Sequence, residues 1–377
     1  MNRKAKICLN TMVSNEAHVI IRMLESCYRY IDFWVIQDNG SKDGTQDLIR
    51  NFFAEKRIPG FLYETKWFYP GVNRDHTLQT CLSAQHRCDW ILRVDADETL
   101  EVDDDFDWSI LGNTSIESFN INAHQNSCIY HRCWLWNARL PWKFKHDKRH
   151  EIIMMEGKDE NFQRIPMPNG FRHRIHGDGK TWSNSHKFYS DALEIEKDLL
   201  NSEKMTTDHY HLFYVAKSYR DAVTTAETKW PFGVVHRNEC CRRAIFFFER
   251  YLDLLHNYGE NKKVKFIDEM AYVSMCSIAE CYRLLGDNEA ALKSFMEAEQ
   301  FCPSRNEHLI EIASIYLDHG QKMGALSTTS RLMDPNRKNP FPDYTLFINN
   351  QAYVDTGDYV KQLHHLACTF NNIHPVN

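Results

Sequence analysis

The sequence predicts an α/β domain with a mostly parallel sheet over residues 1–195, followed by an all-α helical-repeat domain over residues 196–377. Three observations carry this expectation. Up to about residue 135, strand-length apolar runs alternate with amphipathic helical stretches, the pattern of a sheet with crossover helices. Polar, turn-rich clusters follow two of those runs, after Gln37 and after Val94, at the strand ends where a parallel sheet gathers its ligands. From about Lys187 onward the pattern turns helical and repeats itself at an interval of 34 residues.

The elements follow in order. Lys6–Met12 is a short apolar run, and Asn15–Arg29 places Val19, Ile20, Met23, Leu24 and Cys27 on one helical face. Phe33–Gln37 reads as a buried strand ended by the turn-rich Asp38–Thr45, with a helix N-cap at Ser41 or Asp43. Gln46–Lys56 reads as a helix, Phe61–Glu64 as a strand and Asp75–Gln85 as a helix. Trp90–Val94 is a fourth strand that runs straight into Asp95–Glu98.

In the second half, Ile278, Ala279, Tyr282, Gly286, Ala291 and Leu292 recur as Ile312, Ala313, Tyr316, Gly320, Ala325 and Leu326. Small residues let paired helices approach closely, and glycine suits the turn between them. With Phe295, Ala298 and Pro303, the unit resembles the tetratricopeptide repeat. An earlier, degenerate unit is expected from Tyr214–Tyr219 to Ala244–Leu255, and capping helices over Asp343–Phe370. A generic helical bundle is the plainer alternative.

Bulk properties exclude some classes. A formal charge of −6 gives no cationic field for nucleic acid or an anionic membrane surface. No run approaches the roughly 20 apolar residues that span a bilayer, and the polar-broken N-terminus lacks a signal-peptide core. The twelve cysteines follow no metal or disulfide spacing and read as reduced core residues, so a cytoplasmic setting is expected.

The cluster after the fourth strand bears the chemistry. A buried strand that abruptly presents Asp95, Asp97 and Glu98 calls for a cation. Hard carboxylate oxygens of this kind suit Mn²⁺ or Mg²⁺, which keep open positions for substrate phosphates. A solvated acidic loop is the competing reading, and Asp103–Asp105 just beyond reads as one.

The ordered set NEAHVIIRMLES, FWVIQDNGSKDGT, NRDHTLQ and DWILRVDADETL resembles the inverting family 2 glycosyltransferases of the GT-A fold, over about residues 5–195. The resemblance implies that Asp38 reads the nucleobase, with Glu16 and the backbone of Thr11–Val13 flanking base and ribose. Asn39 stands where the family has a second Asp, and Asp75 where it has Asn after Arg74. Arg74 is expected at the nucleotide or diphosphate, and Asp95 and Asp97 match the D-x-D motif, with Asp97 the direct metal ligand.

The same resemblance places His150 and Glu151 on the family's catalytic stretch, although Lys148 and Arg149 depart from it. Inverting transfer needs a base for the acceptor hydroxyl; Glu151 is the expected one and Asp147 its competitor. Further on, the resemblance implies that His176 completes the metal shell or touches the diphosphate, and that Lys187 neutralises a phosphate. Gly177 and Gly179 allow a close backbone approach. Trp134, Trp136, Trp142 and Trp182 are candidates for a sugar-stacking wall, with core packing as the alternative.

The expected activity is transfer from a nucleoside-diphosphate sugar, a UDP-sugar first, to a hydroxyl of a glycan, lipid or protein. The repeats would bind a protein partner or acceptor, or mediate self-association. A catalytically inactive scaffold is the second reading. A nucleotidyltransferase is the third, against which NTMVSNEAH stands in place of a Gly-rich basic phosphate loop.

Overall fold

The computed structural model describes residues 5–83, 88–125, 128–145, 151–159, 161–180, 186–200, 205, 208–224, 233–258, 265–303 and 305–333. The chain falls into two compact units, Met1–Asn184 and Ser185–Asn377. The division precedes the expected 195/196 boundary because one helix, Lys187–Leu200, runs unbroken across that point.

The first unit is α/β. Strands β1 (Ile7–Val13), β2 (Phe33–Asp38), β3 (Gly60–Glu64) and β4 (Trp90–Arg93) are joined by helices α1 (Ile20–Cys27), α2 (Thr45–Lys56) and α3 (Pro70–Ser83). They pair in parallel in the order β3-β2-β1-β4. The sheet then changes character: β7 (Cys128–Asn137) runs antiparallel to β4, and β6 (Ser118–Gln125) antiparallel to β7. Beyond them lie β11 (Phe171–Ile175) and β5 (Glu98–Val102), antiparallel to each other, while β10 (Arg164–Pro166) pairs with β6. The result is a nine-stranded mixed sheet. A small hairpin of β8 (Trp142–Phe144) and β9 (Ile153–Met155) accompanies it.

Strand alternation builds two cores. Ile7, Leu9, Trp34, Ile36, Trp90 and Leu92 pack with α1 and α2 on one face. Cys8, Phe33, Val35 and Ile91 pack with Leu78 and Cys81 of α3 and with Trp142, Phe144 and Met155 on the other. Each fully buried side chain of this size contributes about 1.5–3 kcal/mol. The helix face expected from Val19, Ile20, Met23, Leu24 and Cys27 is buried. Helix α1 nevertheless starts later than its periodicity, because Asn15 adopts φ 57° and the chain turns before Ile20. Helix α3 starts earlier, with Pro70 as its first residue, where a missing N–H costs nothing. The α2 cap is Gly44, at φ 90°, rather than Ser41 or Asp43; Asp43 still accepts from the Thr45 N–H at 3.1 Å.

Between β6 and β7 the register slips at Phe119/Asn120: Leu135 opposes Phe119 and Cys133 opposes Asn120, so Trp134 is the extra, bulged residue. At the sheet edge, Gly60 lies against the Trp34 ring, which stacks on Phe53 at 4.2 Å. A Cβ on Gly60 would sit 2.3 Å from that ring. Gly60→Ala is therefore expected to destabilise the unit by about 1–3 kcal/mol, read as a lower urea midpoint; an unchanged midpoint would mean the Trp34 ring can move aside.

The second unit is all helical, with α4 (Lys187–Leu200), α5 (His209–Thr224), α6 (Gly233–Tyr258), α7 (Lys265–Leu284), α8 (Asn288–Phe301), α9 (Glu307–Asp318) and α10 (Lys322–Leu332), each packed on the next. The pairs α7/α8 and α9/α10 carry the 34-residue repeat. Gly286 (φ 83°) and Gly320 (φ 67°) make the left-handed turns within them, a conformation that penalises any Cβ. Helices α5 and α6 occupy the place of the earlier unit, while Asp343–Phe370 lies outside the described residues. Cys8, Cys27, Cys81, Cys88, Cys240, Cys241, Cys276, Cys281 and Cys302 are free and buried, and Cys133 is free and half-buried. Among the described residues no helix is long and apolar enough to cross a membrane.

Candidate active site

The carboxyl ends of β1, β2 and β4 lie side by side, with Val13 opposite Asp38 and Asn10 opposite Arg93. The loops after β1 and β2 interlock there. The Asn15 N–H donates to Ser41 Oγ, Glu16 N–H to Thr45 Oγ1, and Ala17 N–H to Asp43 Oδ2. Thr11 spends its hydroxyl on the Val94 carbonyl at 2.7 Å, and the Val13 carbonyl accepts from the Asn39 N–H at 2.9 Å, so both residues tie β1 to its neighbours.

Asp38 is fully buried and organises the β2 loop. Its Oδ1 accepts from the N–H groups of Gly40 and Ser41 and from Gln46 Nε2 at 2.8–2.9 Å. Its Oδ2 is buried without a hydrogen-bond partner among the described residues. The neighbouring Asn39 accepts from Asn73 Nδ2 at 2.9 Å and from Gln37 Nε2 at 2.8 Å, within a network of neutral amides. Asp75 accepts from the Phe144 N–H at 2.8 Å and so ties α3 to the β8–β9 hairpin.

The densest charge cluster brings together residues far apart in the chain. Arg74 of α3 pairs with Asp95 at 3.1 Å and contacts Glu151 through its Nε. Arg93 of β4 pairs with the same two carboxylates, at 3.2 Å to Asp95 and 3.6 Å to Glu151. Burial alone would raise the Asp95 carboxyl, but the two guanidinium groups override it and hold Asp95 well below the usual carboxylate range. Burial and the charge of Arg74 lower the Arg93 pKa from its ordinary value. Burial also works against the Arg74 cation, yet Asp95 and Glu151 outweigh it and raise its pKa.

Behind this cluster stands a second one. The guanidinium carbons of Arg93 and Arg132 each lie 4.1 Å from the Trp134 ring centre, a cation–π arrangement. Arg132 pairs with the buried Glu98 at 2.5 Å, and Glu98 faces His173 at 3.6 Å. The sequence shows Glu98 only as part of the acidic run and gives Arg93, Arg132 and His173 no site role. Arg93 alone carries a signal, a charged residue inside the otherwise apolar WILRV, whereas Arg132 and His173 stand beside other basic residues in CIYHRCWLWN and FRHRI.

The segment after β11 closes over the second D-x-D carboxylate. Gly179 approaches Asp97 so closely that a Cβ would lie 2.9 Å from the Asp97 Cβ. The next N–H, of Lys180, donates to Glu16 Oε2 at 3.2 Å. Burial raises the Glu16 carboxyl above its ordinary value, and the charge of Asp97 adds to this. The segment is anchored by Asp178, whose carboxylate takes a bidentate bond from Arg22 at 2.6 and 2.7 Å. His176 donates its N–H to the Asp97 carbonyl at 3.2 Å and pairs its Nε2 with Thr99 Oγ1 at 3.0 Å. Burial and Arg22 lower its pKa, which favours neutral imidazole at neutral pH.

Among the described residues no three His, Cys, Asp or Glu side chains converge as a metal cage. The donors that do fit a hard divalent ion are Asp97 and the neighbouring Glu16, since Mg²⁺ and Mn²⁺ take one or two carboxylates and complete their shell with water and phosphate. Asp95 is instead engaged by two arginines. Trp136 and Trp142 are fully buried core residues, not a sugar-stacking wall, because their positions on β7 and β8 face the α3 side of the sheet. Asp147, His150 and Trp182 lie outside the described residues. Lys187, expected at a phosphate, opens α4 of the second unit, with its ammonium 5.4 Å from the Phe188 ring centre.

No family model matches the chain, and no curated protein matches it. Among solved structures the chain is similar to residues 1–349 of S. aureus TarS in complex with UDP-GlcNAc, with 11% identity over 78% of this chain and 91% of that one and a TM-score of 0.39. It is likewise similar to the same fragment in complex with UDP, at 11% identity, the same coverage and a TM-score of 0.37. BtubC from P. vanneervenii is similar at 12% identity, over 53% of this chain and 96% of that chain, with a TM-score of 0.23.

Proposed function

We propose that the chain is a metal-dependent, inverting glycosyltransferase that moves a sugar from a nucleoside-diphosphate sugar, a UDP-sugar first, to a hydroxyl of a glycan, lipid or protein acceptor. One observation carries this reading. Arg74 from α3, Asp95 from the end of β4 and Glu151 from the loop before β9 meet in one cluster, beside the β1 and β2 ends that hold Glu16 and Asp38. A nucleotide lying along the β1 and β2 ends would direct its diphosphate to the arginines.

Asp97, with Glu16, would hold Mn²⁺ or Mg²⁺, which when bound supplies Lewis-acid neutralisation of the departing diphosphate. His176 and Asp95 remain supporting candidates for the metal or phosphates on the strength of the sequence resemblance. In the transfer step the acceptor hydroxyl gives its proton to the Glu151 carboxylate while its oxygen bonds to the anomeric carbon. The bond from that carbon to the phosphate oxygen breaks, and its electron pair leaves with the nucleoside diphosphate. Attack opposite the leaving group inverts the centre. The helical unit would present a partner or acceptor, or a second copy of the chain.

The test is thermal stabilisation by UDP, with and without Mn²⁺. Saturation at 100 times Kd stabilises by about 2.7 kcal/mol. The expected result is a Mn²⁺-dependent rise in Tm that Asp97→Ala removes without lowering the Tm of the ligand-free protein. No rise with UDP, GDP or CDP would overturn the enzyme reading, and a rise kept in full by Asp97→Ala would move the ion elsewhere.

A further inference from the structure

We infer that Arg74 and Arg93 together form the seat of the donor diphosphate, and that the carboxylates of Asp95 and Glu151 occupy this seat until the donor arrives. The inference rests on the proposed donor class and adds to it a second cation, Arg93, and a reason for the base to stay silent without donor.

The geometry supports this in three ways. First, among the described residues two guanidinium groups and two carboxylates form one set. Asp95 bridges both arginines at 3.1–3.4 Å, and Glu151 Oε1 contacts Arg74 and lies 3.6 Å from Arg93. Oxyanions bridging paired forks are what a diphosphate, with several oxygens on two linked phosphorus centres, also offers. Second, the set is neutral and largely shielded, with side-chain exposures of 16% for Arg74 and 9% for Arg93. Adding further anions to a neutral, low-dielectric cluster gains little, so a diphosphate must displace a carboxylate. Third, the two carboxylates are not equally held. Asp95 follows directly on central strand β4, whereas Glu151 sits on the loop two residues before β9. Arg93 is held from behind by Trp134 and cannot follow a departing partner. Glu151 is thus the group that yields.

The consequence is a coupling between donor and base. With Glu151 Oε1 held against Arg74 and facing Arg93, the carboxylate is engaged by guanidinium groups and not by an acceptor hydroxyl. The donor phosphate takes the place of Glu151 at the arginines and releases Glu151 to accept a proton from the acceptor hydroxyl. Without donor, the base is masked.

The experiment measures Kd by calorimetry for two probes, UDP and inorganic pyrophosphate, each with Mn²⁺, on the full chain and on Glu151→Gln and Arg93→Met. Glu151→Gln removes the competing charge but keeps the shape, and is expected to bind both probes about 5-fold or more tightly. Arg93→Met is expected to bind both about 10-fold more weakly. If Arg93→Met does not give a folded melt, Arg93→Lys keeps the charge and loses the fork, and is expected to weaken both probes in the same direction. Unchanged or weaker binding by Glu151→Gln, or unchanged binding by the Arg93 variants, would overturn the inference while leaving the donor class intact. Pyrophosphate binding with these sensitivities but no UDP binding would uphold the anion seat and overturn the nucleotide reading. Neither probe binding to any form would overturn both.

Discussion

On the proposed mechanism, Glu151→Gln is expected to slow sugar transfer by about 10²–10⁴-fold, the range that a positioned general base contributes, without weakening donor binding. The amide keeps the size of the carboxylate and its reach toward Arg74, but cannot take a proton at neutral pH. Single-turnover transfer with donor saturating separates the chemical step from binding. Because Glu151 meets Arg74 and Arg93 in the ligand-free protein, the variant must also keep a cooperative melt, which the isosteric amide favours. Transfer at the wild-type rate would pass the role to Asp147.

Arg132→Met is the second large effect and acts on stability. Glu98 is 3% exposed at its side chain, and Arg132 is its close cationic partner. Burial works against the Arg132 cation, but Glu98 outweighs it and raises its pKa above the ordinary value, so Arg132 stays charged at any physiological pH. Removing one member of such a pair leaves an uncompensated buried charge, at a cost of about 3–5 kcal/mol. For a unit of this size each kcal/mol lowers Tm by roughly 2–4 °C. The double variant Arg132→Met with Glu98→Gln is expected to recover part of the loss, since it strands no charge. Equal melting of the single variant and the wild type would show that water reaches Glu98. By contrast the half-exposed pair of Arg139 with Asp89 is expected to contribute at most about 1 kcal/mol.

Much of the first unit was legible because its signals are local. WILRV ending at Asp95 gives a buried strand and a polar end, and the strand is there with its carboxylates at the sheet's carboxyl edge. The 34-residue repeat was legible because Gly286 and Gly320 serve one turn geometry twice. What escaped depends on residues distant in sequence. β6 and β7 pair antiparallel across the middle of the sheet, where no local period announces a partner. Asp95 reads as a metal ligand in sequence, and only the fold brings Arg74 and Arg93 to it. Trp136 and Trp142 read equally as cleft or core, because an indole suits both until the opposite face of its strand is known.

The bulge at Trp134 is an added residue and not a shifted register. Leu135 opposes Phe119 and Cys133 opposes Asn120, so deleting Trp134 would leave a regular ladder with the other side chains on their present faces. Arg132 would still reach Glu98, but Arg93 and Arg132 would both lose the ring on which they rest. In homologues of this chain the extra residue and the two arginines are therefore expected to be kept or lost together.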